Sequence, residues 1–525
     1  MLIKKRNKYL LIIIIFLLLL ISILLKSEQE PEILEKYAIG NANFYNEKDR
    51  KYYSDAKFTV EANDNTEYLM NLFSNINEVH IPKGNFLCKS QIRIKGENIK
   101  VFGVKGESKI VFDSDLYNSV EKGAVSAYII NDSYSRSFDH STAQNITIDG
   151  IIFELKQKDD NFYNFILMFA NVKGGNIQNC SFISDFSSEN FVTLLDLYSC
   201  CKNLKINNCT FKNMTGSSKG SCIWVRNLTM SEESAENVTE NISISKCTFT
   251  QNSADEILAV YSSIGDVKKV DVRDSIFNDF SDINVKIFAT YSSENKYYGT
   301  VEDVIFDNNK IISEFMNNFT ITVGGPNRKN LVSNIVISNN DIKIEDDTDN
   351  KGIIIYINDI ETNVQNITVI NNTIKVNKLL NSTGIYNANL AKSNSIIGEL
   401  KRGIVYGESY ENIIDGSLQG IVSPEIAQDN KLYNCKIGIS CGSKISLIRN
   451  NEIVLKLNGL CGIDVQKDDN NEEFEITCIG NKITTIHKDQ YSFVIHNGNI
   501  RLISNSVFGS GGKIYINDQA NIIIE

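Results

Sequence analysis

One hundred residues of this chain hold most of the side chains that could do chemistry together. Leu194–Cys200 (LLDLYSC), Ile257–Ser263 (ILAVYSS) and Ile287–Ser293 (IFATYSS) match position by position, and Cys222–Asn227 (CIWVRN) falls between the first two. If these segments stack, Tyr198, Asn227, Tyr261 and Tyr291 form one column and Leu195, Trp224, Leu258 and Phe288 another. Around them lie the single tryptophan, Trp224, then Arg226, the carboxylate pair Asp255-Glu256 and the amine of Lys286. Aromatic faces beside charged groups suit sugars, which offer flat apolar rings and directional hydroxyls. Hydrolysis of a glycosidic bond needs two carboxylates, about 5 Å apart for retention and about 6.5–9.5 Å for inversion. Glu256 with Asp282 or with Glu189 would meet that need. Elimination instead needs a base, for which Lys286 or a tyrosine qualifies, and Arg226 or a cation to neutralise a uronate carboxylate. Asp255, Glu256 and Lys286 are therefore the candidate catalytic residues, and Trp224, Arg226, Tyr261 and Tyr291 the candidate substrate-binding residues. A structural alternative stands beside this one: Glu256 and Lys286 as a cross-strand ion pair, and the aromatic residues as interior packing.

Such columns require a scaffold that repeats. The phrase Asn-(Cys/Asn)-x-(Phe/Ile) occurs as NCSF at Asn179–Phe182, NCTF at Asn208–Phe211, NNKI at Asn308–Ile311, NNDI at Asn339–Ile342 and NNTI at Asn371–Ile374. It returns as NCKI at Asn434–Ile437 and NNEI at Asn450–Ile453, with degenerate copies at Lys246–Phe249 and Asp274–Phe277. A spacing of about 30 residues that tolerates insertion is the signature of a stacked solenoid. Asn tolerates the left-handed backbone of a tight corner, and stacked amides can bond along the column. Cys180, Cys209 and Cys247 share the next position, which implies a buried column of thiols rather than disulfides among the eleven cysteines. The segment Lys392–Pro424 does not fit the period. Ile437 and Ile453 stand too close for one coil, so one of those two phrases belongs to a different face. Asp464–Glu475 reads as an acidic loop.

The start of the repeat region is informative. Thr66 can cap a short helix with Tyr68, Leu69, Leu72 and Phe73 on one side, followed by Val79-His80-Ile81-Pro82-Lys83-Gly84-Asn85-Phe86 and short strands at Gln91–Ile94, Asn98–Phe102 and Lys109–Phe112. Helix, V-x-I-P-x-G-x-F and paired strands resemble the opening of the pectate-lyase-like superfamily. That resemblance, with the repeats, covers residues 58–525. It implies an all-β, right-handed single-stranded parallel β-helix of about 15 coils with a capping helix at its N-terminal end. It carries over no catalytic residue: Arg-Ile-Lys at Arg93–Lys95 sits in the first strands, away from the setting such enzymes give it, and their other signatures are missing.

The remaining features bear on location and partners. Lys4, Lys5, Arg6 and Lys8 precede the apolar run Tyr9–Leu25, which reaches the lower limit of about 17 residues for a membrane span. Residues 1–26 are thus expected to be an uncleaved signal anchor, a transmembrane helix with the rest of the chain outside, or else a cleaved signal peptide. Residues 27–57 are expected to be a polar linker. The net charge of −11 argues against nucleic acid as a partner. Polysaccharide is the expected partner, with the membrane engaged only through the N-terminal helix. No cofactor is expected, and calcium stays open as a bridging ion without a motif to hold it. The sequence thus reads as a lyase or glycoside hydrolase acting on envelope or extracellular polysaccharide, or as a non-catalytic glycan-binding scaffold.

Overall fold

A computed structural model describes Phe44–Asn46, Lys51–Tyr53, Asn65, Leu69 and most of residues 77–525. Within that last range 82, 89–91, 95–96, 114–126, 131–142, 157–163, 185–191, 214–219, 229–237, 252–255, 283–284, 293–296, 316–318, 326–328, 346–351, 360–361, 443–444, 467–473 and 518–519 lie outside the description. The expected anchor and almost all of the expected capping helix also lie outside it. Leu69 is helical, fully buried, and donates its amide to the Asn65 carbonyl at 2.9 Å. Inside the expected linker, Phe44–Asn46 pairs antiparallel with Lys51–Tyr53.

The rest winds into a right-handed parallel β-helix. One coil shows the plan. Strand Lys202–Asn207 belongs to the first sheet, a left-handed corner at Asn208 turns the chain inward, Thr210–Asn213 lies in the second sheet, and Gly220–Leu228 lies in the third. The first sheet contains 17 strands, from Glu78–Ile81 to Ala520–Ile524, so the coils outnumber the expected 15. At ~4.8 Å per coil the rod is about 80 Å long. The second and third sheets fuse where the single strands Thr373–Tyr386 and Ser395–Val405 serve both.

The corner asparagines adopt the expected left-handed backbone, with φ between 51° and 56° at Asn179, Asn208, Asn308, Asn339, Asn371, Asn434 and Asn450. Their exposed amides bond to the coil below, as Asn208 Nδ2 does to Asn179 Oδ1 at 2.7 Å. The continuous ladder is one residue later and buried. Cys180, Cys209, Cys247 and Ser275 occupy this inner position in successive coils, followed by Asn309, Asn340, Asn372, Asn394, Asn412, Asn430, Asn451, Asn481 and Asn505. Asn430 Oδ1 accepts both the backbone N–H of Asn412 at 2.9 Å and its Nδ2 at 3.0 Å, while Asn430 Nδ2 donates to the Ser409 carbonyl at 2.9 Å. Identical sets join Asn340 to Asn372, Asn372 to Asn394 and Asn451 to Asn481. None of the eleven cysteines forms a disulfide, and all but Cys200 are buried.

This ladder places the segment that defied the period. Asn394, Asn412 and Asn430 are each 18 residues apart, so the coils simply shorten there by dropping the loop between the second and third sheets. The NCKI phrase at Asn434 sits at another corner, as its crowding with Asn450 requires: Asn450 precedes the ladder member Asn451, whereas Asn434 follows Asn430 within one coil. The ends of the expected acidic loop, Asp464 and Glu475, lie in strands Cys461–Val465 and Glu475–Ile479, and residues 467–473 between them lie outside the described residues.

Side chains two positions after the ladder compensate its bulk. Phe182, Phe211, Phe249 and Phe277 stack at centroid distances of 4.5–5.1 Å where the inner position is Cys or Ser, and Phe153 extends the stack at 5.2 Å although its own inner position is Ile151. From Asn309 onward the ladder residue is larger and the same inward column becomes Ile311, Ile342, Ile374, Ile396 and Ile414. Close packing permits little slack, so volume gained in one column is surrendered in its neighbour.

Removing one rung should be costly. Asn412→Ala strands the Asn394 amide groups and deletes bonds to Ala391, Ser409 and Asn430, which is expected to lower stability by about 2–4 kcal/mol at about 1 kcal/mol per net bond plus the unsatisfied groups. Asn434→Gly, which keeps an easy left-handed corner, should cost under about 1 kcal/mol. Chemical denaturation of both variants checks this; equal losses would refute a special role for the inner amides.

Candidate functional site

The outward face of the third sheet presents the candidate residues, but in a different register from the one read off the sequence. Asp196 opposes Trp224, Trp224 opposes Ala259, and Ala259 opposes Lys286. Arg226 opposes Tyr261, which opposes Phe288. The match of Leu194–Cys200 to Ile257–Ser263 therefore holds, whereas CIWVRN slips by one residue and IFATYSS by three. A slip of one reverses which face a side chain occupies. Trp224 thus leaves the interior column of Leu195 and Leu258 and faces outward, half-buried. Tyr291 leaves the tyrosine column altogether and pairs antiparallel with Tyr298 in a side hairpin.

Arg226 organises this face. Its Nε donates to Asp196 Oδ1 at 2.8 Å and its Nη2 to Asp196 Oδ2 at 2.5 Å, a two-pronged pair whose side chains are 8% and 0% exposed. The guanidinium carbon also lies 4.3 Å from the Trp224 ring centroid and 4.8 Å from that of Tyr198. Burial pushes the Asp196 carboxyl above its ordinary value, and the Arg226 charge pulls it back. Next along the rod, Tyr261 stacks on Phe288 at 4.6 Å with ring planes 24° apart, and the Thr290 hydroxyl lies 3.2 Å from the Tyr261 hydroxyl. The result is a half-buried stripe in which the Arg226–Asp196 pair bridges Tyr198 and Trp224, and the stacked Tyr261 and Phe288 follow along the rod. Asp196, the carboxylate of that pair, lies inside LLDLYSC, and only the strand register brings it to Arg226.

The candidate catalytic pair is mutually engaged. Lys286 Nζ donates to Glu256 Oε1 at 2.5 Å, with the side chains 30% and 14% exposed. This is the cross-strand ion pair that stood as the structural alternative. Asp255 and Glu189 lie outside the described residues, as does the side chain of Asp282, so the carboxylate pairs read from sequence have no measured separation. Among the described residues no group of three or more His, Cys, Asp or Glu side chains converges as a metal site.

Further along the same sheet face, Tyr356 and Tyr386 are directly opposed and 5.5 Å apart, and Tyr386 meets Tyr406 edge-on at 5.5 Å. Burial raises the Tyr386 hydroxyl above its usual value, so it stays protonated. Near the last coils, His496 Nε2 approaches Asp464 Oδ1 at 3.4 Å. None of these groups was read from the sequence as part of a site.

No family model matches the chain, and no curated protein matches it. Among solved structures, the surface protein and adhesin PfbA of Streptococcus pneumoniae is 11% identical, with 89% of this chain and 98% of that chain covered and a TM-score of 0.41. The tailspike protein of E. coli bacteriophage HK620 in complex with pentasaccharide is 12% identical over 92% of this chain and 81% of that chain, with a TM-score of 0.38. A PL6 alginate lyase complex with trisaccharide is 12% identical over 89% and 87%, with a TM-score of 0.35. Identities this low give no residue-by-residue correspondence.

The Arg226–Asp196 pair yields a direct prediction. Asp196→Ala leaves a guanidinium buried without its counter-charge and should destabilise the fold by about 3–5 kcal/mol, whereas replacing both partners with apolar residues, Asp196→Leu with Arg226→Met, should recover most of that loss. Thermal unfolding followed by circular dichroism reads the difference. An Asp196→Ala variant as stable as the parent would mean the pair is not desolvated.

Proposed function

We propose that this chain is an exported glycan-binding scaffold that lays a polysaccharide along the outward face of its third sheet. One observation carries the reading: Tyr198 and Trp224 flank a guanidinium whose position is set by a buried carboxylate, and Tyr261 stacked on Phe288 continues the aromatic stripe. Stacking on sugar rings needs flat apolar faces that lose little freedom on binding, and rings braced by a guanidinium or by a neighbouring ring meet that need. The stripe continues at intervals to Tyr356, Tyr386 and Tyr406, which suits a polymer better than a small molecule. The basic flank and apolar run Tyr9–Leu25 support tethering of the rod outside a membrane, with polysaccharide of the envelope or surroundings as the partner.

Binding is favoured over bond cleavage because Glu256 and Lys286 neutralise each other and Arg226 is already committed to Asp196. A retained glycan should release about tenfold more readily from Trp224→Ala and from Tyr261→Ala, corresponding to about 1.4 kcal/mol for each lost ring. Affinity electrophoresis in polysaccharide-loaded gels, together with an assay for new reducing ends and unsaturated products, tests this. Cleavage of any glycan that Glu256→Gln abolishes would replace the scaffold reading with the hydrolase or lyase one.

A further inference from the structure

Where the coils are shortest, the corner between the third and first sheets opens into a cleft of about 540 Å³, within the usual range of about 300–1,000 Å³ for ligand sites. Its walls include Asp359, Asn366, Asn389, Tyr406, Glu408 and Glu425, and among the described residues no lysine, arginine or histidine lines it. Three carboxylates with no cation among the lining residues, in a chain of net charge −11, make a strongly negative groove.

Tyr406 is the unusual member. Asn387, Tyr406 and Ser423 occupy the same corner in successive coils, as their amides show by donating in turn to Val405, Val422 and Ser440 carbonyls. All three are left-handed, at φ 64°, 62° and 48°. That backbone suits Asn and costs a bulky residue about 1–2 kcal/mol. The next residue is Gly407 at φ 74°, where an added Cβ would fall 1.8 Å from the Ala388 carbonyl oxygen, so the chain passes close to the neighbouring coil and only glycine fits there. The ring held there is 42% exposed over the cleft and braced by Tyr386 at 5.5 Å. An aromatic face is thus presented at a position where asparagine would be easier.

We propose that this cleft binds a glycan bearing free ammonium groups. The inference rests on the glycan-binding reading above and names the sugar chemistry that the middle of the stripe selects. A sugar ring stacks on Tyr406, and its ammonium groups meet the carboxylates and the ring face together. Glu408 and Glu425 lie on adjacent coils, since the Glu425 amide donates to the Gly407 carbonyl at 3.0 Å, and Asp359 lies further down the rod. The charges are therefore strung along the axis at a spacing of about 5 Å or more, as the groups of a polymer are, rather than converging on one ion. Among the described residues no close metal cluster forms, in keeping with an extended ligand. A polyuronate would meet like charge throughout.

Calorimetry on the full chain with three oligosaccharides of equal length, made of glucosamine, N-acetylglucosamine or galacturonate, tests this at about pH 5.5, above the ordinary carboxylate values. The glucosamine oligomer should bind at least about tenfold more tightly than its acetylated counterpart, in a salt-sensitive manner, and the galacturonate oligomer should not bind at the cleft. Tyr406→Gly, which eases the left-handed corner and so preserves folding, should lose about tenfold in affinity. Glu408→Gln combined with Glu425→Gln should erase the preference for the free amine, while Trp224→Ala leaves that preference intact. Glycan binding that depends on Trp224 yet ignores Tyr406→Gly and the double glutamine variant would overturn the cleft alone. Failure of every oligosaccharide to bind would overturn both the cleft and the wider reading.

Discussion

A buried amide has to be satisfied on every side, and that demand organises the rod. Each asparagine from Asn309 to Asn505 enters the interior beside a tight corner, where its side chain finds most of its partners in the coils above and below. A carbonyl oxygen accepting two bonds from the neighbouring coil, and an amide group donating both onward and to a main-chain carbonyl, leave no freedom of register. Any slip by one residue would strand several polar groups in the interior, at about 1–3 kcal/mol each. The first half of the rod meets the same geometric demand with Cys180, Cys209, Cys247 and Ser275, whose small side chains make room for the phenylalanine stack.

With register fixed at one corner, the rest of each coil is at liberty to vary. Insertions collect between the second and third sheets and between the third and first, and the coils around Asn412 dispense with the first of these. The outer face of the third sheet inherits the consequences. In the early coils it carries the Arg226–Asp196 pair and its aromatic neighbours, which are half-covered. Where the coils shrink, the corner beside Tyr406 opens and a cleft appears. Chemistry on this molecule is thus a property of loop length as much as of residue type.

Much of the architecture was legible because corners have a narrow vocabulary. Left-handed backbone selects asparagine, so the phrase repeated from Asn179 to Asn450 marked the corners directly. The ladder beside it was half hidden: in SNSI, ENII, DNKL and GNKI the corner residue is Ser393, Glu411, Asp429 or Gly480, and only the second asparagine is kept. The site was harder, since strands rich in β-branched residues give several plausible alignments. The residues CIWVRN fit the pattern almost equally well one step away, and that single step moved Trp224 between the core and the surface. A bulge after Asn227, where the pairing skips a residue, adds to the ambiguity. Tyr291 was lost to the column because its strand ends at Ala289 and a hairpin follows. The cleft had no sequence signature at all, since its walls come from turns dispersed between Ile357 and Glu425.

Native-state hydrogen exchange is the most direct test of the amide column. The backbone N–H groups of Asn340, Asn372, Asn394, Asn412, Asn430 and Asn451 each donate to the next asparagine side chain, so they should exchange together, and only through opening of the coil stack. They should be among the slowest amides in the chain. Fast, independent exchange at these positions, with protection residing instead in the outer strands, would contradict the account.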